Sequence, residues 1–199
     1  MQPTDIRNPD YFHKVVDCQW ACPAHTPVPE YIRLIAAGRY DDAFMVNWTS
    51  NVFPGILGRT CDRPCEPACR RGRVEEENQA KPEPVAICRL KRVAADHKDV
   101  AGVKARMPRP AARKNGRKIA CVGAGPASLT VARDLAPLGY QVTVFDQDPR
   151  AGGMIWSQIP RFRLPLEVID EEVGYILDMG VEFKGGVKID SMKKLMAEG

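Results

Sequence analysis

The chain has 199 residues, 44% hydrophobic and 27% charged, with a formal net charge of +4, an ordinary globular composition that excludes a collagen-like or disordered chain. No apolar run approaches the ~20 residues of a membrane-crossing helix, and the opening "MQPTDIRNPDYFHK" lacks the apolar core of a signal peptide; no membrane insertion is expected, and a cytoplasmic, reducing compartment is. The positive charge is gathered in one stretch rather than over an aromatic-studded face, so no nucleic-acid partner is expected.

Residues 1–103 read as a small α domain. In "PEYIRLIAAG", Pro29 suits a first helical turn and Gly38 a stop, and "RYDDAFMVNW" continues with helical spacing of apolar positions. Cysteine-bearing loops flank these helices: "DCQWACP" with Cys18 and Cys22, and "RTCDRPCEPACRRG" with Cys61, Cys65 and Cys69 among prolines and arginines that suit neither a helix interior nor a strand. A further helix is expected from near Pro84 through "PVAICRLKRVAADH", carrying Cys88, and no alternating strand pattern precedes residue 105.

Residues 104–116, most of the basic run "KARMPRPAARKNGRK", read as an exposed linker. From residue 117 the texture changes to a βαβ unit: strand "KIACVGAG", helix "PASLTVARDLAPLG" closed by Gly139, and strand "YQVTVFD". A helix over "LEVIDEEVGYILDMG", a strand "VEFKGG" and a helix over "SMKKLMAEG", opened by Asp190 or Ser191, follow. The expected fold class is α + α/β, a helical domain followed over 117–199 by part of a doubly wound, Rossmann-like domain. A doubly wound sheet needs more strands than these, so the sequence is expected to stop inside its second domain.

"GAGPAS" sets Gly123, Gly125 and Ser128 at the G-x-G-x-x-G positions between a strand and a helix. The first glycine permits the tight turn, the second lets a pyrophosphate approach the backbone, and the helix beginning at Pro126 aims its unpaired N–H groups at that phosphate. Asp146 ends the second strand roughly 20 residues on, where a carboxylate can accept from ribose hydroxyls. The geometry serves FAD and NAD alike; Gly152 and Gly153 in "RAGGM" would let backbone approach a cofactor and favour FAD.

Six of the seven cysteines precede residue 90, and Cys121 reads as a small core residue within a strand. In a reducing compartment such thiols point to metal rather than disulfides. Each short spacing is C-x3-C, whereas zinc sites favour C-x2-C. Iron–sulfur clusters tolerate wider spacing because each cysteine binds a different iron, and Cys22 precedes Pro23 as in ferredoxin runs; the pattern favours iron–sulfur over zinc.

With both motifs placed, the sequence resembles the small (β) subunit of glutamate synthase and its relatives, including the N-terminal part of dihydropyrimidine dehydrogenase and the large subunit of NADH-dependent ferredoxin:NADP oxidoreductase. The resemblance rests on "CP" at Cys22, "GRTCDRPCEPAC" from Gly58, "EPVAI" from Glu83, "GAGPAS" from Gly123, "GG" at Gly152 and "IPRFRLP" from Ile159. It implies a helical domain carrying [4Fe–4S] clusters and an FAD domain into which an NAD(P)H domain is inserted, with electrons passing from NAD(P)H to FAD to cluster. By position it implies Cys22, Cys61 and Cys65 as ligands of one cluster. The fourth ligand of these relatives falls here on Lys91, which cannot bind iron while protonated; Cys88, one turn earlier on the same helical face, is expected instead. Cys18 and Cys69 match two ligands of a second cluster whose upstream C-x2-C pair is missing, with His13 as a possible substitute. For the flavin it implies Gly123, Gly125, Pro126 and Ala127 at the pyrophosphate, Asp146 at the ribose, and Gly153 and Arg163 farther along.

The resulting expectation is the flavin and iron–sulfur portion of an NAD(P)H-dependent oxidoreductase working with a larger catalytic or redox partner, its NAD(P)H domain lying outside this sequence. The alternatives are a non-catalytic electron-relay or docking module and a zinc-stabilised interaction module. No catalytic acid or base can be named.

Overall fold

A computed structural model describes residues 16–73 and 82–197. The chain divides into two compact units, Met1–Val103 and Lys104–Gly199.

The described part of the first unit is helical. Helix α1 spans Asp17–Ala21, α2 Val28–Ala36, α3 Tyr40–Asn51, α4 Pro54–Thr60, α5 Ile87–His97 and α6 Val100–Arg106, and a single 3-10 turn covers Arg70–Arg73. Pro29 and Pro54 sit in the first turns of α2 and α4, where a missing N–H costs nothing and the fixed φ is already helical. Gly38, at φ +71, turns the chain out of α2. Helix α5 starts at Ile87, three residues later than the expected start at Pro84, because the prolines at 82 and 84 hold the chain extended before it.

Tyr31, Phe44, Ala43 and Ala94 are fully buried in this unit, with Leu34, Ile56 and Ile87 nearly so. The Tyr31 hydroxyl donates to the Ile87 carbonyl at 3.0 Å, pinning α2 to the start of α5. Helices α4 and α5 cross at Gly58, where a β-carbon would stand 2.9 Å from the backbone of Arg92; the glycine is what lets the two helices touch.

The second unit is built on a parallel sheet of β1 (Lys118–Val122), β2 (Gln141–Asp146) and β3 (Glu182–Gly185) in the order β1-β2-β3. Lys118 pairs with Gln141 and Val122 with Phe145, while Thr143 pairs with Glu182. Helix α7 (Pro126–Leu135) makes the crossover between β1 and β2, and α9 (Leu166–Leu177) makes that between β2 and β3. Short helices α8 (Met154–Ser157) and α10 (Met192–Ala197) complete it, Ser191 accepting the Lys194 N–H at 3.4 Å as the N-terminal cap of α10. Such a strand order is that of one half of a doubly wound sheet. Cys121, Val142, Val144, Leu129, Ala132, Ile169 and Ile176 form its core.

The basic run after residue 103 is tied to this unit. Helix α6 carries it as far as Arg106, Met107 is buried and Lys104 pairs with Asp178 at 2.7 Å. Asn115 donates its backbone N–H to the Gly139 carbonyl at 3.0 Å and its side-chain amide to the Leu138 carbonyl at 3.3 Å. Most of this stretch is exposed, as expected of a linker, and these hydrogen bonds fasten it to the α7–β2 turn.

Candidate functional site

The first unit gathers cysteines from three places far apart in sequence. Cys22 closes α1, with its N–H on the Gln19 carbonyl. Cys61 closes α4, and Cys88 lies in the first turn of α5. Cys65 and Cys69 lie on the turns after Cys61, where Arg63 adopts φ +62 and donates its N–H to the Cys61 sulfur at 3.3 Å. Cys65, Cys69 and Cys88 are buried and Cys18, Cys22 and Cys61 half-buried.

Cys61 and Cys88 form a pair. The Cys88 Sγ–H lies within reach of the Leu57 and Gly58 carbonyls at 3.4 and 3.6 Å, and it shifts the acidity of Cys61. Hydrogen bonding from Cys88 brings the Cys61 thiol down to about 5, with help from the Arg63 N–H and the Lys91 charge, against its partial burial and Asp62. The same hydrogen bond, reinforced by burial, pushes Cys88 up. Cys65 is raised to about 11 by burial and by the negative charge Cys61 and Cys22 would carry, while Lys91 pulls it down. Lys91 is buried at 6% exposure and acts on Cys61, Cys65 and Cys88 together. Burial raises the Cys18 thiol, and Cys69 and Asp17 add to the rise; Tyr31, whose hydroxyl is pushed up first by burial, also feels Cys65, Cys88, Cys18 and Cys22 together.

Cys65 feels both Cys61 and Cys22, and Cys61 and Cys88 act on each other, while Cys18 packs with Cys65 and Cys69 against the same core. Among the described residues, no group of three or more His, Cys, Asp or Glu side chains is arranged to hold a metal ion. A single tetrahedral ion with bonds of ~2.3 Å needs thiolates under about 4 Å apart, whereas a cubane cluster spreads its ligands over four irons. Thiols from three segments, with the buried Lys91 side chain acting on three of them, are donor chemistry that suits such a cluster. His13 lies outside the described residues.

Sequence reasoning passed over several residues that shape this site. Glu66 accepts the Cys88 N–H at 3.0 Å, occupying an open donor at the start of α5. Arg59, 8% exposed in its side chain, bonds Asp96 at 2.6 Å, and Arg92 reaches the same carboxylate at 3.0 Å. Thr26, Asn47 and Asn51 are buried polar residues behind Cys22. A Thr four residues beyond Cys22 and an Asn pair at helical i, i+4 spacing were visible, but nothing in their spacing said they would meet.

In the second unit β1 runs into Gly123, whose φ of +88 makes the tight turn. Gly125 caps α7 in extended conformation with no side-chain cap, and Pro126 begins the helix, so the first-turn N–H groups of Ala127 and Ser128 have no intrahelical partner. A β-carbon at Gly123 or Gly125 would meet nothing within 4 Å, which leaves the space before this helix end open to a phosphate.

Asp146 faces the same turn. One of its carboxylate oxygens accepts the Ala124 N–H and the other the Asp148 N–H at 2.9 Å. The side chain thus braces the loop, and its remaining lone pairs are what it could offer a ribose. Gly152 donates to the Ala124 carbonyl at 2.8 Å, and Gly153, at φ +54, has room for no β-carbon because Gly125 Cα would lie 2.9 Å away. The two glycine loops are therefore pressed against each other, a structural requirement for "GG" beyond access to a cofactor. Gly123, Gly125, Pro126, Ala127, Asp146, Gly152 and Gly153 meet at this one turn; Arg163 is exposed on the turn between Pro160 and Leu164.

Comparison with known proteins agrees with this division. Residues 12–103 match the family described as dihydropyrimidine dehydrogenase domain II, 4Fe-4S cluster, and residues 121–180 match that of the NAD(P)-binding Rossmann-like domain. The chain is 38% identical to the NADP(+)-dependent formate dehydrogenase subunit beta of Moorella thermoacetica over 82% of this chain and 25% of that one. It is 35% identical to the glutamate synthase [NADPH] small chain of Mycobacterium tuberculosis, over 91% and 36% of the two chains. It is also 33% identical to the NAD-dependent dihydropyrimidine dehydrogenase subunit PreT of Salmonella typhimurium, over 91% and 43%. The chain thus spans a quarter to under half of the length of these relatives, and no described helix is long and apolar enough to cross a membrane. The iron–sulfur domain match, the Rossmann-like domain match and these relatives together make the chain similar to the glutamate synthase small chain and to other oxidoreductase subunits.

Proposed function

We propose that this chain is the electron-transfer portion of an NAD(P)H-dependent oxidoreductase, holding FAD on its second unit and one [4Fe–4S] cluster on its first. The observation that carries the reading is the joining, in one chain, of a thiol group centred on the Cys61–Cys88 pair and a βα turn with an open, uncapped helix start. A bound flavin would supply the conversion of a two-electron hydride into single electrons, which is what a cluster accepts.

Cys22, Cys61, Cys65 and Cys88 are the proposed cluster ligands. The hydrogen bond and nearby cation that favour the Cys61 thiolate prepare it for iron, since the thiolate is the ligating form. Lys91, at the place where the relatives' fourth ligand was expected, contributes charge instead of a bond. Cys18 and Cys69 are a remnant pair, available to a second cluster only if further ligands reach them. At the other site, the N–H groups of Ala127 and Ser128 would receive the pyrophosphate before the start of α7, Asp146 would keep the loop in shape and meet the ribose, and Arg163 would add positive charge farther along. Proposed partners are a domain or subunit that delivers electrons from NAD(P)H and a larger redox or catalytic subunit that receives them.

Anaerobic purification followed by iron, sulfide and flavin analysis tests the proposal. About four irons, four sulfides and one FAD per chain are expected. Zinc in place of iron would overturn the cluster, eight irons would overturn the single-cluster reading, and undiminished iron in Cys88→Ala would remove Cys88 from the ligands.

A further inference from the structure

Three buried polar residues of the first unit are linked by hydrogen bonds, and one of them, Thr26, also accepts from the Cys22 thiol. Asn47 is fully buried and donates through Nδ2 to the Ala43 carbonyl at 2.8 Å, which leaves its Oδ1 as an acceptor. Asn51, 7% exposed, donates through its own Nδ2 to Asn47 Oδ1 at 3.4 Å and to Thr26 Oγ1 at 3.3 Å. Thr26 is 1% exposed, and its Oγ1 lies 3.6 Å from the Cys22 sulfur.

The polarity of this chain is set by what each group can do. The two N–H bonds of the Asn51 amide go to Asn47 and Thr26, so Thr26 Oγ1 is an acceptor toward Asn51, and its own proton must point elsewhere. Among the described residues, the other hydrogen-bond partner of Oγ1 is the Cys22 sulfur. A protonated Cys22 donates to Oγ1; a thiolate has no proton to give, and the hydroxyl rotor then turns to donate to sulfur. Stability alone does not account for the arrangement, because it leaves Asn51 Oδ1 buried without a hydrogen-bond partner among the described residues where an apolar side chain would incur no such penalty.

We propose that Thr26, oriented by Asn51 and Asn47, is a positioning residue that donates a hydrogen bond to the Cys22 thiolate and raises the reduction potential of the centre Cys22 ligates. This rests on Cys22 being a cluster ligand. A donor on a ligating sulfur offsets negative charge, and the reduced state carries one more negative charge than the oxidised state, so the bond favours reduction.

The test compares full chains reconstituted anaerobically with iron and sulfide: unaltered, Thr26→Val and Thr26→Ser, each assayed for iron content and for midpoint potential by spectroelectrochemical titration. Thr26→Val keeps the shape of the side chain and removes the O–H. With iron retained, its reduction equilibrium is expected to move about fivefold toward the oxidised form, equivalent to about 40 mV more negative for a one-electron couple. Thr26→Ser is expected to restore the original ratio. An unchanged potential in iron-replete Thr26→Val overturns the proposal. Should Thr26→Val instead lose iron, recovery in Thr26→Ser supports the hydroxyl's role through retention, and loss in both overturns it. The ligand reading is judged separately: undiminished iron in Cys22→Ala defeats that reading whatever Thr26 does.

Discussion

Glu66 accepts the backbone N–H of Cys88 at 3.0 Å, so the loop bearing Cys65 is fastened to the first turn of the helix bearing Cys88. A carboxylate there also faces the positive end of that helix. Glu66→Ala is expected to lower stability by about 1–2 kcal/mol and to reduce iron retention, because two proposed ligands lose their common tie. Glu66→Gln keeps an acceptor and should lie between. Urea unfolding and iron analysis on the same preparations check both effects.

Gly58 is expected to tolerate no side chain. Its β-carbon would meet the Cα, Cβ and N of Arg92, all at 2.9 Å, and the α4–α5 crossing can relieve that only by backbone movement. Gly58→Ala should lose roughly 1–3 kcal/mol and disturb the bonds from Cys88 to the Leu57 and Gly58 carbonyls. Thermal unfolding is the measurement; an unchanged midpoint would refute the close crossing.

Gly125 and Gly153 should respond differently to alanine, although both belong to the proposed flavin site. Gly125 has φ −79 and open space where a β-carbon would go, so Gly125→Ala should leave stability unaltered while filling the place a pyrophosphate needs. Gly153 has φ +54 and Gly125 Cα only 2.9 Å from its β-carbon position, so Gly153→Ala should lose stability and binding together. A loss of affinity of about tenfold, equal to ~1.4 kcal/mol, is expected in each. Flavin titration beside thermal unfolding separates the two cases.

The acid limb of stability should depend on Asp96. Burial alone would raise this carboxyl, but hydrogen bonds from Arg59 and Arg92 overcome it and hold the carboxyl below its ordinary value of 3.8. A group whose pKa is lower in the folded state binds fewer protons there, so its contribution is complete above the unfolded value, near 4, and disappears as pH falls through the folded one. Asp96→Asn is expected to reduce stability by about 1–2 kcal/mol at pH 7 and to flatten the decline below pH 4. Unfolding free energies measured across pH 2.5–7 provide the check; parallel curves for the two proteins would contradict it.

Much of this was readable one segment at a time. Period-3.6 spacing marked α2, α3 and α9; the strand–glycine–helix order of "KIACVGAGPAS" marked the dinucleotide turn, where Gly123 and Pro126 stand where they were expected. Turn chemistry and periodicity are properties of neighbouring residues, and a sequence displays them directly. Short helices were missed: α1 and α4 are 5 and 7 residues long, too brief for periodicity to separate them from cysteine-rich loop.

Local order along the chain is enough to show thiol-bearing loops ahead of a βαβ dinucleotide turn, and which residue types each contains. Packing sets that Cys88 lies against the Leu57 and Gly58 carbonyls, that Lys91 is buried, that Asp146 braces its own loop, and that Thr26 lies between Asn51 and Cys22. Several of those relations join residues far apart in the chain, 31 positions from Leu57 to Cys88 and 25 from Thr26 to Asn51. Contacts at such separation are set by how whole helices pack, which no local pattern encodes.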